Sequence, residues 1–353
     1  MNKKLIATAM GLVMAGGMSL ATADVKLYGQ LDLSIDAIDE DGGVDDVNMG
    51  SNRSAVGFKG SEDLGNGLEA FFKVEYQVDL DDSGDIGPSY EDDTTEGGDG
   101  DGWKARDMYI GLKGESWGKL TFGSMSTAYK SPAAKLDPFY RTRNQARNVG
   151  LQSTLHKGRG EEGQGRATNT VRYDSPSFGG VAFAGTYTLD NDETDLEDDD
   201  PYSLGITYKG GPVYAFASYI TTDTDNAAGE DDNAAWQVGA KGTFGDAAVW
   251  AIYEVDDGLI ATRQHGVAGD GGDIWSIGAS YTIGNNLISL DYGQGDDVDL
   301  SGGGTAQTEY DSWRLGAKHN FSKRTMVYIT HANVDVDGAG GTDLTSIGMR
   351  HNV

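Results

Sequence analysis

The chain has 353 residues, with 56 acidic against 27 basic side chains and a formal net charge of −29. Phosphate contacts need clustered Lys and Arg, so this balance excludes nucleic acid as a partner. There is no cysteine, which excludes a disulfide framework and any thiolate metal site.

Residues 1–23 read as a secretory signal peptide. Lys3 and Lys4 give a positive start, Leu5 to Leu20 is small and apolar, and Ala21-Thr22-Ala23 supplies the small–x–small cleavage pattern. The apolar stretch is short and broken by glycine, which argues against a retained membrane helix. Residues 24–353 are then one exported domain.

After Asp24 no apolar run reaches the ~20 residues that a membrane helix needs. What recurs is alternation. Val25, Leu27, Leu31, Leu33 and Ile35 share one face and Lys26, Tyr28, Gln30, Asp32 and Ser34 the other. Val181, Phe183, Tyr187 and Leu189, and then Tyr202, Leu204, Ile206 and Tyr208, repeat the pattern. Strands are predicted to start near 25, 53, 67, 104, 118, 166, 180, 201, 212, 234, 247, 272, 287, 308, 324 and 343. The segments 212–222 and 324–333 alternate poorly, which leaves fourteen or eighteen strands open. Short turns such as Asp63-Leu64-Gly65-Asn66-Gly67 and Gly210-Gly211-Pro212 take turns with long connections near 39–52, 81–103, 126–165, 190–200, 221–233, 256–271, 295–307 and 334–342.

Short turns on one side and long loops on the other describe an all-β, antiparallel transmembrane barrel of sixteen strands. Its water-soluble rivals are a β-sandwich and a propeller, and no four-strand repeat of 40–50 residues supports the latter. Tyr76, Trp103, Tyr109, Trp117, Tyr187, Tyr202, Tyr219, Tyr292 and Tyr310 are expected to form interfacial girdles.

The stretch Ser54-Ala55-Val56-Gly57-Phe58-Lys59-Gly60-Ser61-Glu62-Asp63-Leu64-Gly65-Asn66-Gly67-Leu68-Glu69-Ala70 resembles the second hairpin of the general trimeric porins of the neisserial and proteobacterial type. Asp24 to Asp32 is similar to their first strand. Tyr109 to Gly123 is similar to the hairpin before their inward-folded third loop, and Asn169 to Pro176 and Gly348-Met349-Arg350-His351 match as well. The resemblance spans the mature chain. It implies a water-filled homotrimeric diffusion channel in the outer membrane of a Gram-negative bacterium, in contact with lipid and lipopolysaccharide and inserted by the barrel-assembly machinery. It also implies that 126–165 is a constriction loop folded into the lumen. The chain departs from the family pattern by ending in Val353 rather than an aromatic residue, which bears on assembly more than on fold. Glycines 111, 123, 185, 205, 239, 278 and 316 fit the family habit of easing strand curvature.

Function then lies in the wall and throat of a pore that passes ions and small hydrophilic solutes. Charge on the lipid face costs roughly 2–4 kcal/mol at the bilayer midplane, so the strand lysines and arginines are expected to face the lumen. These are Lys26, Lys59, Lys73, Arg172 and Arg314, with Glu75 beside them. The loop opposes the charge of the chain: between 126 and 160 it carries Lys130, Lys135, Arg141, Arg143, Arg147, Lys157 and Arg159 against a single acid, Asp137. By contrast, 81–101 holds nine acids and no base, and 190–200 eight acids and no base. A positive throat under a negative mouth is expected, with Glu75 and Asp137 as the opposing carboxylates.

The acidic loops admit weak divalent-cation binding as well as simple hydration, although Asp190 to Asp195 lacks the glycine that an EF-hand needs. No cofactor is expected. None of the five histidines sits in a G-x-S-x-G or H-E-x-x-H setting, which argues against an enzyme. A channel specific for phosphate, another anion or a sugar is the closer alternative.

Overall fold

The computed structural model describes residues 24–43, 45–81, 103–160, 165–189, 201–222, 233–260, 269–300 and 303–353. The signal-peptide reading of residues 1–23 and the acid runs at 82–101 and 190–200 lie outside them.

Period-two alternation folds as expected. In chain order the barrel strands are β1 (Asp24–Glu40), β2 (Ala55–Gly65), β3 (Leu68–Val78), β4 (Trp103–Gly114), β5 (Gly118–Ser126), β6 (Arg166–Asp174), β7 (Val181–Thr188) and β8 (Tyr202–Gly210). They continue as β9 (Val213–Thr222), β10 (Asn233–Phe244), β11 (Ala247–Asp257), β12 (Ile274–Ile283), β13 (Asn286–Gly295), β14 (Tyr310–Asn320), β15 (Thr325–Val336) and β16 (Gly340–Asn352). Each pairs antiparallel with the next, and β16 returns to β1 with Gln30 opposite Asn352, so the barrel closes at sixteen strands. The β2–β3 turn has both Asn66 and Gly67 at positive φ (53° and 74°), which matches the strand twist of a tight hairpin.

The barrel is apolar outside and polar within. Leu27, Ile110, Leu204, Ile277, Leu290 and Ile347 project outward, while Asp32, Thr186, Ser203, Gln237, Asp291 and Ser346 are buried on the lumen side. An outer aromatic row steps round the wall through Tyr202–Tyr219, Trp236–Tyr253 and Trp275–Tyr292 contacts to Trp313 against His331. Tyr109 and Tyr310 do not join it. Tyr109 turns inward onto Phe71 (ring centroids 6.2 Å apart), and buried Tyr310 donates to the Gly150 carbonyl at 3.0 Å.

Two of the expected long connections are structured. Asp46–Ser51 extends the ladder along β1, and between β15 and β16 only the turn 337–339 remains. At the outer face Gly269–Gly271, Val298–Leu300 and Thr305–Gln307 form a small separate sheet. Leu259, Ile260 and Val298, buried beside it, pack on Tyr129 and Leu155.

Tyr129 and Leu155 belong to the loop, whose described part 127–158 folds inside the barrel with one α-helical turn, α1 (Lys130–Ala133), and two 3-10 turns. The wall from β8 to β16 holds it by polar bonds. Ser203 Oγ accepts from Ala128 N–H, Gln237 donates to the Tyr129 carbonyl, Ser276 Oγ to that of Leu151, and Arg350 to that of Tyr140. Arg314 is the central anchor. It lies 2.9 Å from Asp137 of the loop and 3.0 Å from Asp291 of β13, and donates to the Asn144 carbonyl at 2.6 Å.

Apolar side chains fill the seam. Leu136 packs with Phe216 of β9, and Val149 and Leu151 with Ala332 of β15. Here is the reason that 212–222 and 324–333 alternate poorly: their lumen faces meet the loop rather than water. The glycines proposed to ease curvature also have a packing role. A Cβ on Gly316 would sit 2.3 Å from the Phe139 ring, and one on Gly239 2.5 Å from the Phe216 ring.

Gly316→Val is therefore expected to expel Phe139 and lift the loop, at about 1–3 kcal/mol of overpacking. Single-channel recording should show larger or noisier conductance. Arg314→Met leaves two buried carboxylates without their cation, a loss of about 3–5 kcal/mol. A lower urea midpoint than wild type is the expected readout, with unchanged stability as the contrary result.

Candidate functional site: the throat

Arg141 of the loop comes within 3.6 Å of Glu75 on β3. On that wall a β-bulge decides which charges line the throat. Val74 pairs with Met108 but Tyr76 with Ala105, so Arg106 and Asp107 both stand opposite Glu75. Arg106 Nε meets Glu75 at 2.8 Å and its Nη1 donates to Gln77 at 2.8 Å. Asp107 takes Lys73 at 2.6 Å and Arg166 Nε at 3.1 Å. Lys73 also lies 3.0 Å from Glu75, which accepts from Tyr28 OH at 2.9 Å. Two carboxylates thus face four cations, Lys73, Arg106, Arg141 and Arg166.

Two loop side chains report the resulting potential. Burial, followed by the charges of Arg147, Arg166, Arg53 and Arg106, pushes the Lys130 ammonium well below its ordinary range. For Tyr140 burial acts upward, yet Arg147, Arg141 and Arg53 together hold the phenol below its usual value. The arginines around Tyr140 outweigh its burial, as a locally positive surrounding does. Arg53 and Arg141 also sit in the left-handed backbone region (φ 55° and 68°), a conformation rarely taken by residues other than glycine.

The residues predicted from sequence divide as follows. Lys59 and Lys73 lie over the Tyr28 ring at 4.8 and 5.6 Å. Arg172 binds Asp174 and the Ser126 carbonyl, fixing the start of the loop. Arg147 is buried, donating to the His156 carbonyl at 2.5 Å beneath the Tyr140 ring. Lys135 rests over Tyr214 at 5.0 Å, and Arg143 is half-buried, its carbonyl accepting from Asn148. Lys26 stands at the periplasmic rim, paired with Asp24 at 3.0 Å.

Two assignments are corrected. Arg314 and Asp137, expected as throat charges, are buried beneath the loop and neutralise one another. The carboxylate expected of Asp137 at the throat is supplied by Asp107. Arg53, Arg106 and Arg166 were not predicted. The adjacent pair Arg106-Asp107 carried a signal, since strict alternation would have put one of two neighbouring charges into lipid.

His156 lies 2.9 Å from Glu254, which also accepts from Ser153 Oγ at 2.7 Å and Tyr129 OH at 3.1 Å. The carboxylate stands between serine and histidine, and the group is wholly buried. It is a clasp for the end of the loop. Among the described residues no cluster of three or more His, Cys, Asp or Glu is arranged to hold a metal. Among the described residues no helix is long and apolar enough to cross a membrane.

The family profile described as Gram-negative porin matches residues 7–339. The chain is 28% identical to the major outer membrane protein P.IB of Neisseria meningitidis serogroup B, with 99% of each chain covered. It is also 28% identical to an outer membrane porin protein of Bordetella pertussis, with 93% of each covered. Among solved structures, the anion-selective porin from Comamonas acidovorans superposes with a TM-score of 0.72 at 22% identity, covering 94% of this chain and all of that one. The trimer form of OmpT of Vibrio cholerae gives 0.65 at 16% identity, covering 94% and 100%. A closed sixteen-stranded barrel narrowed from within, in a chain that the profile spans almost end to end, belongs to the Gram-negative porin family of outer-membrane channels.

Proposed function

We propose that this porin is a general diffusion channel for ions and small hydrophilic solutes, with a weak preference for anions set at the throat. The observation that carries the reading is the excess of Lys73, Arg106, Arg141 and Arg166 over Glu75 and Asp107 where the path is narrowest. Charges within a Debye length of about 8 Å act on a passing ion, and those further away are screened. Lumen aromatics lie beneath lysines, as Tyr28 does under Lys59 and Lys73, which favours a general channel over a sugar slide. The buried state of the Ser153–Glu254–His156 group argues against hydrolytic chemistry, which needs a nucleophile within a base's reach at an accessible site.

Under a salt gradient in planar bilayers, the wild type is expected to reverse slightly on the anion side at high salt. Arg141→Ser with Arg143→Ser should move the potential toward cations, while Arg147 stays in place to hold the loop. An unchanged reversal potential would remove the loop from the selectivity filter.

Assembly as a homotrimer is the second part of the proposal. The outer aromatic row reaches His331 on β15, and the ladder then continues at that level through Thr345, Ala37 and Val47. Around this gap Ile35, Met49 and Ile347 form an outward aliphatic patch. A face without interfacial aromatics fits a neighbouring barrel better than lipid headgroups. Cross-linking in mild detergent should give trimers, and insertion should raise conductance in groups of three; monomers alone would defeat this reading.

A further inference from the structure

The lumen separates its two signs of charge along the axis. Three lysines, Lys135, Lys241 and Lys318, have no carboxylate within ion-pair distance among the described residues. Each ammonium rests over an aromatic ring: Lys135 over Tyr214 at 5.0 Å, Lys241 over Trp250 at 5.2 Å and Lys318 over Phe139 at 6.0 Å, where it also donates to the Pro138 carbonyl at 3.0 Å. A ring face fixes the position of a cation without cancelling its charge. On the strands, Lys241 and Lys318 stand three and two residues from the periplasmic ends of β10 and β14. Lys135 reaches the wall at Tyr214, the second residue of β9. Glu69 and Asp174, carboxylates of the same half of the wall, are paired with Lys113 and Arg172.

The opposite end is acidic. Asp41, Asp257, Asp297 and Asp337 stand at the outer ends of the strands or in the loops beyond them. Asp296, just beyond the outer end of β13, has its carboxyl pushed up by burial and then by Asp273 and Asp297.

We propose that this series of a cation-attracting mouth and an anion-attracting exit makes the channel a rectifier. When the extracellular side is positive, cations enter through the mouth and anions through the lysine collar, and both accumulate at the throat. When the voltage is reversed, both are drawn out of the throat and current falls. The effect requires fixed charge to outrange screening. It belongs to low salt, with a Debye length of about 30 Å at 0.01 M, and vanishes near 1 M, where that length is about 3 Å.

The inference rests on the channel reading above, and the experiment separates the two. Because the chain has no cysteine, D337C with a membrane-impermeant thiol reagent reports which way a barrel has inserted. Single-channel current is then recorded at equal and opposite voltages. A ratio of roughly twofold at about 0.01 M salt, favouring the extracellular-positive direction and collapsing near 1 M, is expected from the screening lengths. Replacing Lys135 and Lys241 with Gln should bring the ratio toward one with conductance retained. If that variant does not insert, D257N with D297N weakens the opposite half and should reduce the ratio alone. Symmetric current at low salt, or asymmetry of the opposite sign, would overturn the rectifier and leave the channel standing; a protein that conducts nothing would instead defeat the channel reading.

Discussion

Arg314 holds the structure to its function. A barrel in lipid spends its apolar surface on the outside, so a loop crossing the lumen meets a wall that is largely polar and cannot be fixed by burial alone. The guanidinium, wholly buried between Asp137 and Asp291, ties the loop to β13 and β14 through charge-assisted bonds. Removing two carboxylates and a cation from water is costly, and such groups add little net stability over an apolar substitute. Their value is positional. With Asp137 pinned, its second oxygen takes the Ala146 amide at 2.8 Å, and the segment that carries Arg141 is folded back toward β3.

Much of this was legible in the sequence, and the residues that escaped it share a cause. Alternation and the rhythm of short and long connections located all sixteen strands, because lipid imposes the same two-sided rule on every strand. The rule weakens where a second layer of protein replaces water. Phe216 and Ile220 on β9, and Tyr328 and Ala332 on β15, turn apolar or aromatic side chains into the lumen because the loop or the polar network around Asp32 covers them. The same covering hid the fate of Arg314 and Asp137, since a charge facing inward reads alike whether it meets water or a partner. Arg106 was missed for a different reason. Period two cannot register a bulge, and one extra residue in β4 placed the strongest partner of Glu75 out of phase.

The basic residues also divide by type. Arginines of the throat and wall are bound to carboxylates, Arg172 as a fork on Asp174 and Arg350 shared between Asp32 and the Tyr140 carbonyl, so much of their charge is spent on geometry. Lysines on aromatic faces keep theirs. A count of positive side chains along the lumen therefore overstates what a passing ion experiences near arginines and understates the share of the lysines.

The apolar contact of Leu259, Ile260 and Val298 with Tyr129 and Leu155 has a consequence for how this protein can change over generations. Outer loops are the part of a surface protein that antibodies and phages meet, and exposed loops accept substitution and insertion more readily than the elements they connect. Here two of them rest on the segment that sets the bore. A change at these three buried side chains alters the packing on Tyr129, which donates to Glu254 in the clasp. Substitutions around the buried apolar trio leave that contact intact, whereas substitutions within it reach the loop inside the barrel.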